Sequence, residues 1–181
     1  YKLIVIEDAA QAIDSYYKGK ALGSIGDMSC FSFHETKNIQ CGEGGLLSIN
    51  NSIYNKRAEI IWEKGTNRSA FWRGEVGKYN WVDIGSSFLP SELNTSFLFA
   101  QLEDIKEIQK RRKYIWKKYF NGLQKLKEKN VTLSNIPFYA TNNAHIFYLI
   151  CNSAHERSAL LDFLLKENIM AVFHYICLHD S

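Results

Sequence analysis

The stretch "FSFHETKNIQCGEGG", residues 31–45, places one lysine between a serine and a glycine-rich turn. Ser32 lies five residues before Lys37, and the sequence Gly-Glu-Gly-Gly begins five residues after it. The flanking segments, "SCFSF" and "GLLSI", are strand-like in composition. The glycines allow positive φ angles and close backbone approach, which suit a binding loop or a plain hairpin turn. We therefore predict two strands joined by a lysine-bearing loop.

Lys37 is one of sixteen lysines, so only its surroundings can distinguish it. Its neighbours in "CFSFHETKN" are largely apolar or aromatic, and such surroundings favour the neutral amine by desolvating it. A neutral lysine is the form that condenses with a carbonyl group. Ser32 lies close enough in the sequence to offer a hydroxyl to a phosphate. These features make Lys37 and Ser32 candidate site residues.

A third candidate, Asp8, follows the apolar run "LIVI" at residues 3–6. The run predicts a strand covered on both faces of an α/β sheet, and such sheets bind ligands at the carboxyl ends of their strands. Asp8 and Gln11 also have the spacing of a capping box, which would make Asp8 the N-cap of a helix over "AAQAIDSYY". The spacing alone supports both roles of Asp8 equally.

The middle of the chain predicts a helix followed by a long loop. The helix covers residues 52–65 and is expected to end at Gly65, a suitable C-cap. Residues 66–90 form a polar and aromatic loop without evident secondary structure, and loops of this length are usually functional or disordered. Its content of tryptophan, phenylalanine and tyrosine argues against disorder.

A second helix is predicted after Pro90, with Ser91 as N-cap and Glu92 in the first turn. It is expected to continue, with a kink, to about Lys129. Beyond Pro137, "IFYLIC" predicts a strand, "ERSALLDFLLKEN" a helix and "IMAVFHYI" a further strand, which together begin a smaller α/β unit. The predicted domains are therefore 1–105 and 106–181.

The charge of the chain is concentrated in one segment. Residues 106–129 hold ten Lys or Arg against two Glu, a net charge of +8 in a chain whose total is +3. Apolar residues at helical spacing predict an amphipathic helix with a charged outer face. The alternative function for this helix is binding to nucleic acid or to another anionic surface. The acidic remainder of the chain weakens that alternative, so no nucleic-acid partner is predicted.

Other site classes find little support in the sequence. Four cysteines without regular spacing are typical of reduced cytosolic thiols and predict no disulfide framework and no metal site: Cys30, Cys41, Cys151 and Cys177. His34 is predicted to be a packed core residue, and the spacing of His174 and His179 is a poor metal motif. No apolar run approaches the roughly 20 residues that cross a bilayer, so no membrane partner is predicted.

Both ends of the chain have features of internal positions in a longer protein. "YKLIVIED" enters a predicted strand without a preceding turn, and "IMAVFHYICLHDS" finishes an apolar run where natural termini more often become polar. We expect the chain to be an internal part of a larger protein.

A known protein family has the same order of residues: a carboxylate at a strand end, then a serine, a lysine and a glycine turn. "EDAAQ" and "SFHETKNIQCGEGG" resemble the sugar-nucleotide aminotransferases of the DegT/DnrJ/EryC1/StrS family, which use pyridoxal 5′-phosphate (PLP). The resemblance extends through "AEIIWEKGTNRSAFWRG", "DIGSSFLPSEL", "NAHIFY" and "MAVFHYICLH". It implies the aspartate-aminotransferase-like fold type I, a large, mostly parallel α/β domain followed by a smaller α/β domain, both incomplete here.

The resemblance also implies roles for individual residues. Lys37 would be the Schiff-base lysine and proton carrier, Asp8 would pair with the pyridine nitrogen, and Ser32 would bind the cofactor phosphate. Gln11 would lie near the ring hydroxyl. Ser87, where the family more often has Asn, would reach the phosphate of a neighbouring subunit. The implied sugar-nucleotide contacts are Tyr79, His174 and Tyr175.

The reaction implied by the resemblance is ping-pong transamination with glutamate as the donor. The acceptor would be a 4-keto-6-deoxy sugar nucleotide, with dTDP-4-keto-6-deoxyglucose converted to dTDP-4-amino-4,6-dideoxygalactose for cell-surface polysaccharide or lipopolysaccharide. Amination at C3 is the alternative within the family. The resemblance further implies a cytoplasmic homodimer. Because the preceding part of such enzymes supplies a phosphate loop and a ring-stacking aromatic residue, we expect the 181-residue chain alone to bind PLP weakly and to be inactive.

Overall fold

The computed structural model describes residues 1–176 and 178–180, and the chain divides into two compact units. The first unit combines Tyr1–Tyr114 with Ile136–His145, and the second combines Ile115–Asn135 with the chain from Ile146 onward. The division after Tyr114 lies within a long helix that begins at Ile105, where the sequence-based domain boundary was placed.

The first unit contains a three-stranded sheet and four helical segments. Its elements are β1 (Ile6–Asp8), β2 (Tyr16–Tyr17), β3 (Lys20–Ala21), β4 (Met28–Ser32), β5 (Gly45–Ile49), α1 (Asn55–Trp62), α2 (Arg68–Trp72), α3 (Glu92–Glu103) and the first part of α4 (Ile105–Gly122). The sheet order is β1-β4-β5, with β1 parallel to β4 and β4 antiparallel to β5. β2 and β3 form a separate antiparallel pair. The strands predicted on either side of Lys37 are confirmed as β4 and β5.

The first strand differs from its prediction in position and exposure. β1 begins at Ile6, although the backbone at Val5 already bonds to Asp27: the N–H of Val5 donates to Oδ2 of Asp27 at 2.9 Å, and Val5 O accepts from the Asp27 N–H at 2.8 Å. Leu3, Ile4, Val5 and Ile6 are exposed. The prediction of a strand covered on both faces is therefore wrong for this chain.

The helix predicted over "AAQAIDSYY" is absent. Residues 9–15 form successive turns, with the N–H of Ala12 donating to Ala9 O and the N–H of Ser15 donating to Ala12 O, both at 2.9 Å. Asp14 has a φ of 55°, a left-handed conformation that stops helix propagation. The side-chain amide of Asn143 donates to the carbonyls of Gln11 and Ile13, which a helix would need for its own ladder. Tertiary hydrogen bonds override the local sequence signal here.

The middle helix and loop are partly as predicted. α1 follows a short 3₁₀ turn over Ser52–Tyr54. α1 ends at Trp62 with Glu63 as its C-cap, so the prediction that the helix runs to a C-cap at Gly65 is wrong by two residues. Gly65 follows the cap with a φ of +76°, and its N–H donates to Ile60 O at 2.8 Å. The loop over residues 66–90 was expected to lack secondary structure, but it contains the short helix α2.

The prediction for the helix after Pro90 is confirmed. The Ser91 side chain accepts from the N–H of Asn94 at 3.2 Å, and Glu92 occupies the first turn of α3. Asp104 departs from helical geometry with a φ of −100° and a ψ of 12°, which produces the predicted kink before α4. A 3₁₀ helix over Gln124–Lys129 then extends the helical stretch to Lys129.

The second unit has a small antiparallel sheet and one further helix. Its elements after α4 are β6 (Thr132–Leu133), β7 (Leu149–Ile150) and α5 (Ala154–Lys166). α5 confirms the predicted helix and is capped by Ser153, whose side chain accepts from the N–H of Glu156 at 3.1 Å. The strand predicted over "IFYLIC" is confirmed only at β7, and β6 was not predicted. Residues 169–176 form no regular strand, so the strand predicted over "IMAVFHYI" is wrong.

The loop that carries Lys37 forms the centre of the first unit's core. Phe33, Ile39 and Cys41 are buried, and Ile39 has no exposed surface. Partly buried side chains from the 9–15 turns, α3 and α4 pack against this cluster: Ile13, Leu98, Ile105 and Ile108. Because three residues of one loop are buried on both sides of Lys37, the backbone around that lysine is anchored by apolar packing.

Three cysteines, Cys30, Cys41 and Cys151, are free thiols, and Cys177 lies outside the described residues. Within the part of the chain that the structure describes, no helix has both the length and the apolar character needed to span a membrane.

A single carboxylate, that of Glu7, holds the loop before β4. Its Oε2 accepts from the N–H of Gly23 at 2.8 Å, and its Oε1 accepts from those of Ile25 and Gly26 at 2.6 and 2.7 Å. Partial burial of the carboxylate opposes ionisation, but the three N–H donors outweigh this effect and lower the pKa of Glu7.

We expect Glu7→Gln to reduce the free energy of unfolding by about 1–2 kcal/mol at neutral pH, after allowance for solvent screening. The amide offers only one accepting oxygen and turns an N–H group towards Gly23. The ionised carboxylate stabilises the fold above its ordinary pKa of 4.5, and this contribution is lost as the pH falls through the lowered pKa of the folded state. Urea unfolding of the complete protein should therefore show the difference shrinking between about pH 5 and pH 3.

The exposed Glu103 provides the control for this measurement. Glu103→Gln should change the free energy of unfolding by less than about 0.5 kcal/mol at either pH. An equal loss in Glu7→Gln at both pH values would contradict the assignment of the ionised Glu7 carboxylate as the stabilising group.

Candidate active site

The strand ends bring two of the predicted residues to one edge of the sheet. Asp8 ends β1 and is in register with Cys30, while Ser32 ends the parallel neighbour β4 and pairs with Gly45 at the start of β5. The carboxyl ends of adjacent parallel strands share an edge, which is where open α/β sheets bind ligands. The connection from β4 to β5 starts and finishes at this edge, and Lys37 lies within it.

The connection between β4 and β5 is closed by its own backbone. The N–H of Phe33 donates to Gly44 O at 2.8 Å, and that of Glu35 donates to Gly42 O at 2.9 Å. Gly42 has a φ of +80°, which a residue with a Cβ adopts only with strain. The N–H of Lys37 donates to His34 O at 2.9 Å, so the lysine sits in a tight turn inside the loop.

His34 stabilises the Lys37 turn through its ring. The N–H of Thr36 donates to Nδ1 of His34 at 3.2 Å, so Nδ1 is an acceptor. Nε2 lies 3.6 Å from Oε1 of Glu43. His34 is half-buried, so the prediction of a packed core residue is wrong; its ring bonds within the Lys37 turn instead.

The Asp8 carboxylate faces the start of the 9–15 turns. Its Oδ1 accepts from the N–H of Ala10 at 3.1 Å, and no other hydrogen bond to Asp8 side-chain oxygens is present among the described residues. This is a local turn contact and not a helix N-cap, so the capping-box interpretation is wrong. Gln11 is exposed, and its carbonyl accepts from the Asn143 side chain at 2.8 Å.

The Ser32 hydroxyl and the Lys37 amine retain capacity for a ligand. Ser32 Oγ accepts from the N–H of His34 at 3.3 Å, which leaves its own proton available to an acceptor. Lys37 is half-buried, and its Nζ has no ion pair or hydrogen bond within the described residues. The strand ends therefore offer a carboxylate and a hydroxyl donor at one edge, and the loop that leaves this edge carries an amine.

The remaining predicted residues lie elsewhere in the chain. Ser87 is exposed and pairs with Glu63 through an isolated antiparallel bridge. The Tyr79 ring lies 5.7 Å from that of Phe71. His174 and Tyr175 belong to the second unit, where their exposed rings stack on each other with centroids 4.5 Å apart.

Sequence analysis missed a set of buried amide side chains next to Lys37. Asn38, Gln109 and Asn143 are each at most 6% exposed. Their only signal in the sequence is a polar residue where the surrounding pattern is apolar or basic. Arg112 of α4 also turns inward: its guanidinium donates to the carbonyls of Ala144 and His145, and burial lowers its pKa.

Comparison with known proteins gives a consistent result over the whole chain. A model of the DegT/DnrJ/EryC1/StrS aminotransferase family matches residues 1–181. An uncharacterized protein from Methanocaldococcus jannaschii is 32% identical over 186 residues, a match that covers 99% of this chain and 47% of that protein.

Solved structures give a similar match. Spr1654 from Streptococcus pneumoniae in its PLP form has a TM-score of 0.80 at 24% identity, over 95% of this chain and 44% of its own. The sugar aminotransferase CalS13 from Micromonospora echinospora has a TM-score of 0.79 at 22% identity, over 94% and 44%. The chain thus spans about half the length of the proteins it matches. The predicted fold class, α/β of the aspartate-aminotransferase-like fold type I, is confirmed.

Proposed function

This chain belongs to the DegT/DnrJ/EryC1/StrS aminotransferase family, and on that premise we propose that the complete protein is a PLP-dependent aminotransferase of sugar nucleotides. One observation carries the proposal: Asp8 and Ser32 end adjacent parallel strands, and Lys37 lies in the loop that leaves the same edge. The family membership and the arrangement of these three residues are consistent with the same chemistry.

The donor set at this edge fits PLP. The cofactor presents a carbonyl, a phosphate and a ring nitrogen, which are matched by an amine, a hydroxyl donor and a carboxylate. Asp8 has an unbonded carboxylate oxygen for a protonated ring nitrogen, and Ser32 has a free hydroxyl proton for the phosphate. Gln11, exposed beside Asp8, would lie near the ring hydroxyl.

When bound, PLP supplies an electron sink that allows an amino group to pass from a donor to a keto acceptor. Lys37 Nζ would hold the cofactor covalently, and once the donor's amine has displaced it, it would be the base that takes the proton from the donor's α-carbon. Asp8 would pair with the ring nitrogen and keep it protonated, because its negative charge stabilises the cation.

The finer parts of the proposal concern substrate and assembly. We infer glutamate as the donor and C4 of a 4-keto-6-deoxy sugar nucleotide as the acceptor, as in dTDP-4-amino-4,6-dideoxygalactose transaminase; "GSS" at residues 85–87 supports this branch. Sugar-nucleotide contacts are assigned to Tyr79, His174 and Tyr175. Amination at C3 is the alternative outcome.

We also infer a homodimer in which Ser87 reaches the partner's phosphate site. Ser87 is exposed, as a residue that contacts another subunit must be in an isolated chain. Free thiols at Cys30, Cys41 and Cys151 support a reducing compartment such as the cytoplasm.

The experiment that tests the proposal is chemical trapping. The complete protein is incubated with PLP, reduced with borohydride, digested and analysed by mass spectrometry. We expect the phosphopyridoxyl group on the peptide that contains Lys37, and amino transfer from glutamate to a keto sugar nucleotide. Label spread over the lysines of residues 106–129, with none on Lys37, would contradict the enzyme proposal and favour the anionic-surface function of that basic segment.

A further inference from the structure

A buried network of amide side chains connects the Lys37 loop to the turns that follow Asp8. Asn38, which follows Lys37 directly, is 5% exposed, and its partners Gln109 and Asn143 are 3% and 6% exposed. Buried amides destabilise a fold unless their hydrogen bonds are made, so such a network specifies one arrangement of the segments that it joins.

The partners of Asn38 determine how its amide is oriented. Nδ2 donates to Gln109 Oε1 and to the carbonyl of Asn143, both at 2.8 Å. Oδ1 is therefore the acceptor end, and it lies 2.9 Å from Nδ1 of His145. Because Oδ1 has no proton to give, His145 must donate from Nδ1. All of the hydrogen-bonding groups of the Asn38 side chain are used.

The network continues from Gln109 to a charged pair. Gln109 Nε2 donates to Asp14 Oδ2 at 3.1 Å, and Lys113 Nζ donates to the same oxygen at 2.8 Å. Burial of Asp14 opposes its ionisation, but the donors Lys113 and Gln109 outweigh this effect and lower the pKa of Asp14. The chain of donors thus ends on a carboxylate at the end of the 9–15 turns.

Asn143 joins the two segments directly. Its Nδ2 donates to the carbonyls of Gln11 and Ile13, both at 2.8 Å, and its Oδ1 accepts from the N–H of His145 at 3.1 Å. Its own carbonyl accepts from Asn38. One residue therefore bonds to the backbone that follows Asp8 and to the side chain that follows Lys37.

We propose that Asn38 and Asn143 are positioning residues that hold the Lys37 loop and the segment after Asp8 at a fixed separation. This inference rests on the proposed function, in which Lys37 and Asp8 both contact one rigid cofactor. Because Asp8 would hold the cofactor ring at one end, the position of the Lys37 amine relative to that ring is narrowly constrained. A misplacement of about 1 Å can lower a rate by about 100-fold.

The test uses Asn38→Asp and Asn143→Asp in the complete protein. Each change preserves side-chain shape but replaces a doubly donating NH₂ group with an oxygen facing two carbonyl oxygens. Asn142→Asp is the matched control, because the described residues give the Asn142 side chain one hydrogen bond, in which its Oδ1 accepts from the N–H of Ala144 at 2.8 Å, and a carboxylate retains that bond.

We expect kcat to fall by about 10- to 100-fold in both variants, with KM for the donor within about twofold of wild type. Amide hydrogen exchange should accelerate in residues 9–15 and 33–41 and stay unchanged in 45–49. Asn142→Asp should match wild type in both measurements. If an Asp variant fails to fold, Asn143→Ser replaces it, with at least about a threefold fall in kcat expected.

Each outcome has a distinct meaning. Borohydride label absent from Lys37 in wild type would overturn the proposed function, whatever the variants do. Label on Lys37 in wild type, with folded variants whose kcat is within about twofold of wild type, would overturn the positioning role alone. A fall in kcat accompanied by uniform acceleration of exchange over all strands would also overturn it, because that pattern reports general destabilisation.

Discussion

Replacement of Lys37 by alanine is expected to lower the rate of amino transfer by at least about 10³-fold, because in the proposed function this one side chain supplies both the covalent attachment and the proton transfer. Lys37 is also the residue whose backbone is anchored by packing on both sides, since Phe33 and Ile39 are buried. Kinetics with glutamate and a keto sugar nucleotide would measure the loss.

Two further variants separate this role from the effect of charge. Lys37→Arg retains the positive charge but lacks a primary amine, so it should be as inactive as Lys37→Ala. Lys125→Ala removes an exposed lysine of the basic segment and should leave the rate within about twofold of wild type. Activity retained in Lys37→Ala would contradict the assignment. The borohydride label should disappear from this variant without moving to Lys125.

The second large effect is expected at Asp8. Asp8→Asn preserves the shape of the side chain and the acceptor for the Ala10 N–H, but removes the charge that keeps the ring nitrogen protonated. Loss of a charged hydrogen bond costs about 1.5–3 kcal/mol, which corresponds to roughly 10- to 100-fold in rate. We expect a fall in kcat of this size or larger, with the borohydride label still on Lys37.

The control for Asp8 is Glu35→Gln, which removes an exposed carboxylate from the Lys37 loop itself. Its kcat should stay within about twofold of wild type, so that a general change in loop charge cannot explain the Asp8 result. An unchanged kcat in Asp8→Asn would remove this residue from the site, even if the Lys37 prediction holds.

The strands around Lys37 and the helix start at Ser91 are determined by local sequence. Strand-like segments that flank a glycine turn, and a serine at the N-cap of a helix, are signals that need only a few neighbouring residues. The family resemblance was also carried by short motifs. These features could therefore be predicted before any tertiary contact was known.

Segments whose backbone bonds to distant residues were not predicted. Residues 9–15 have a helix-like sequence, but the side-chain amide of Asn143 donates to the carbonyls of Gln11 and Ile13, which lie 132 and 130 positions earlier in the chain. The apolar run at residues 169–176 has strand-like composition, yet no neighbouring strand pairs with it among the described residues. A strand requires a partner, and composition alone does not supply one.

The sequence by itself determined which groups are candidates for the chemistry: a carboxylate, a hydroxyl and an amine in a fixed order, each at the end of a strand or in the loop that follows. Only the tertiary structure decided how these groups are held. The parallel pairing of β1 with β4 places Asp8 and Ser32 at one edge, and Asn38 and Asn143 join the two segments through bonds between residues 105 positions apart. Such bonds depend on where the folded chain brings distant polar groups together, and no local pattern of residues encodes that meeting.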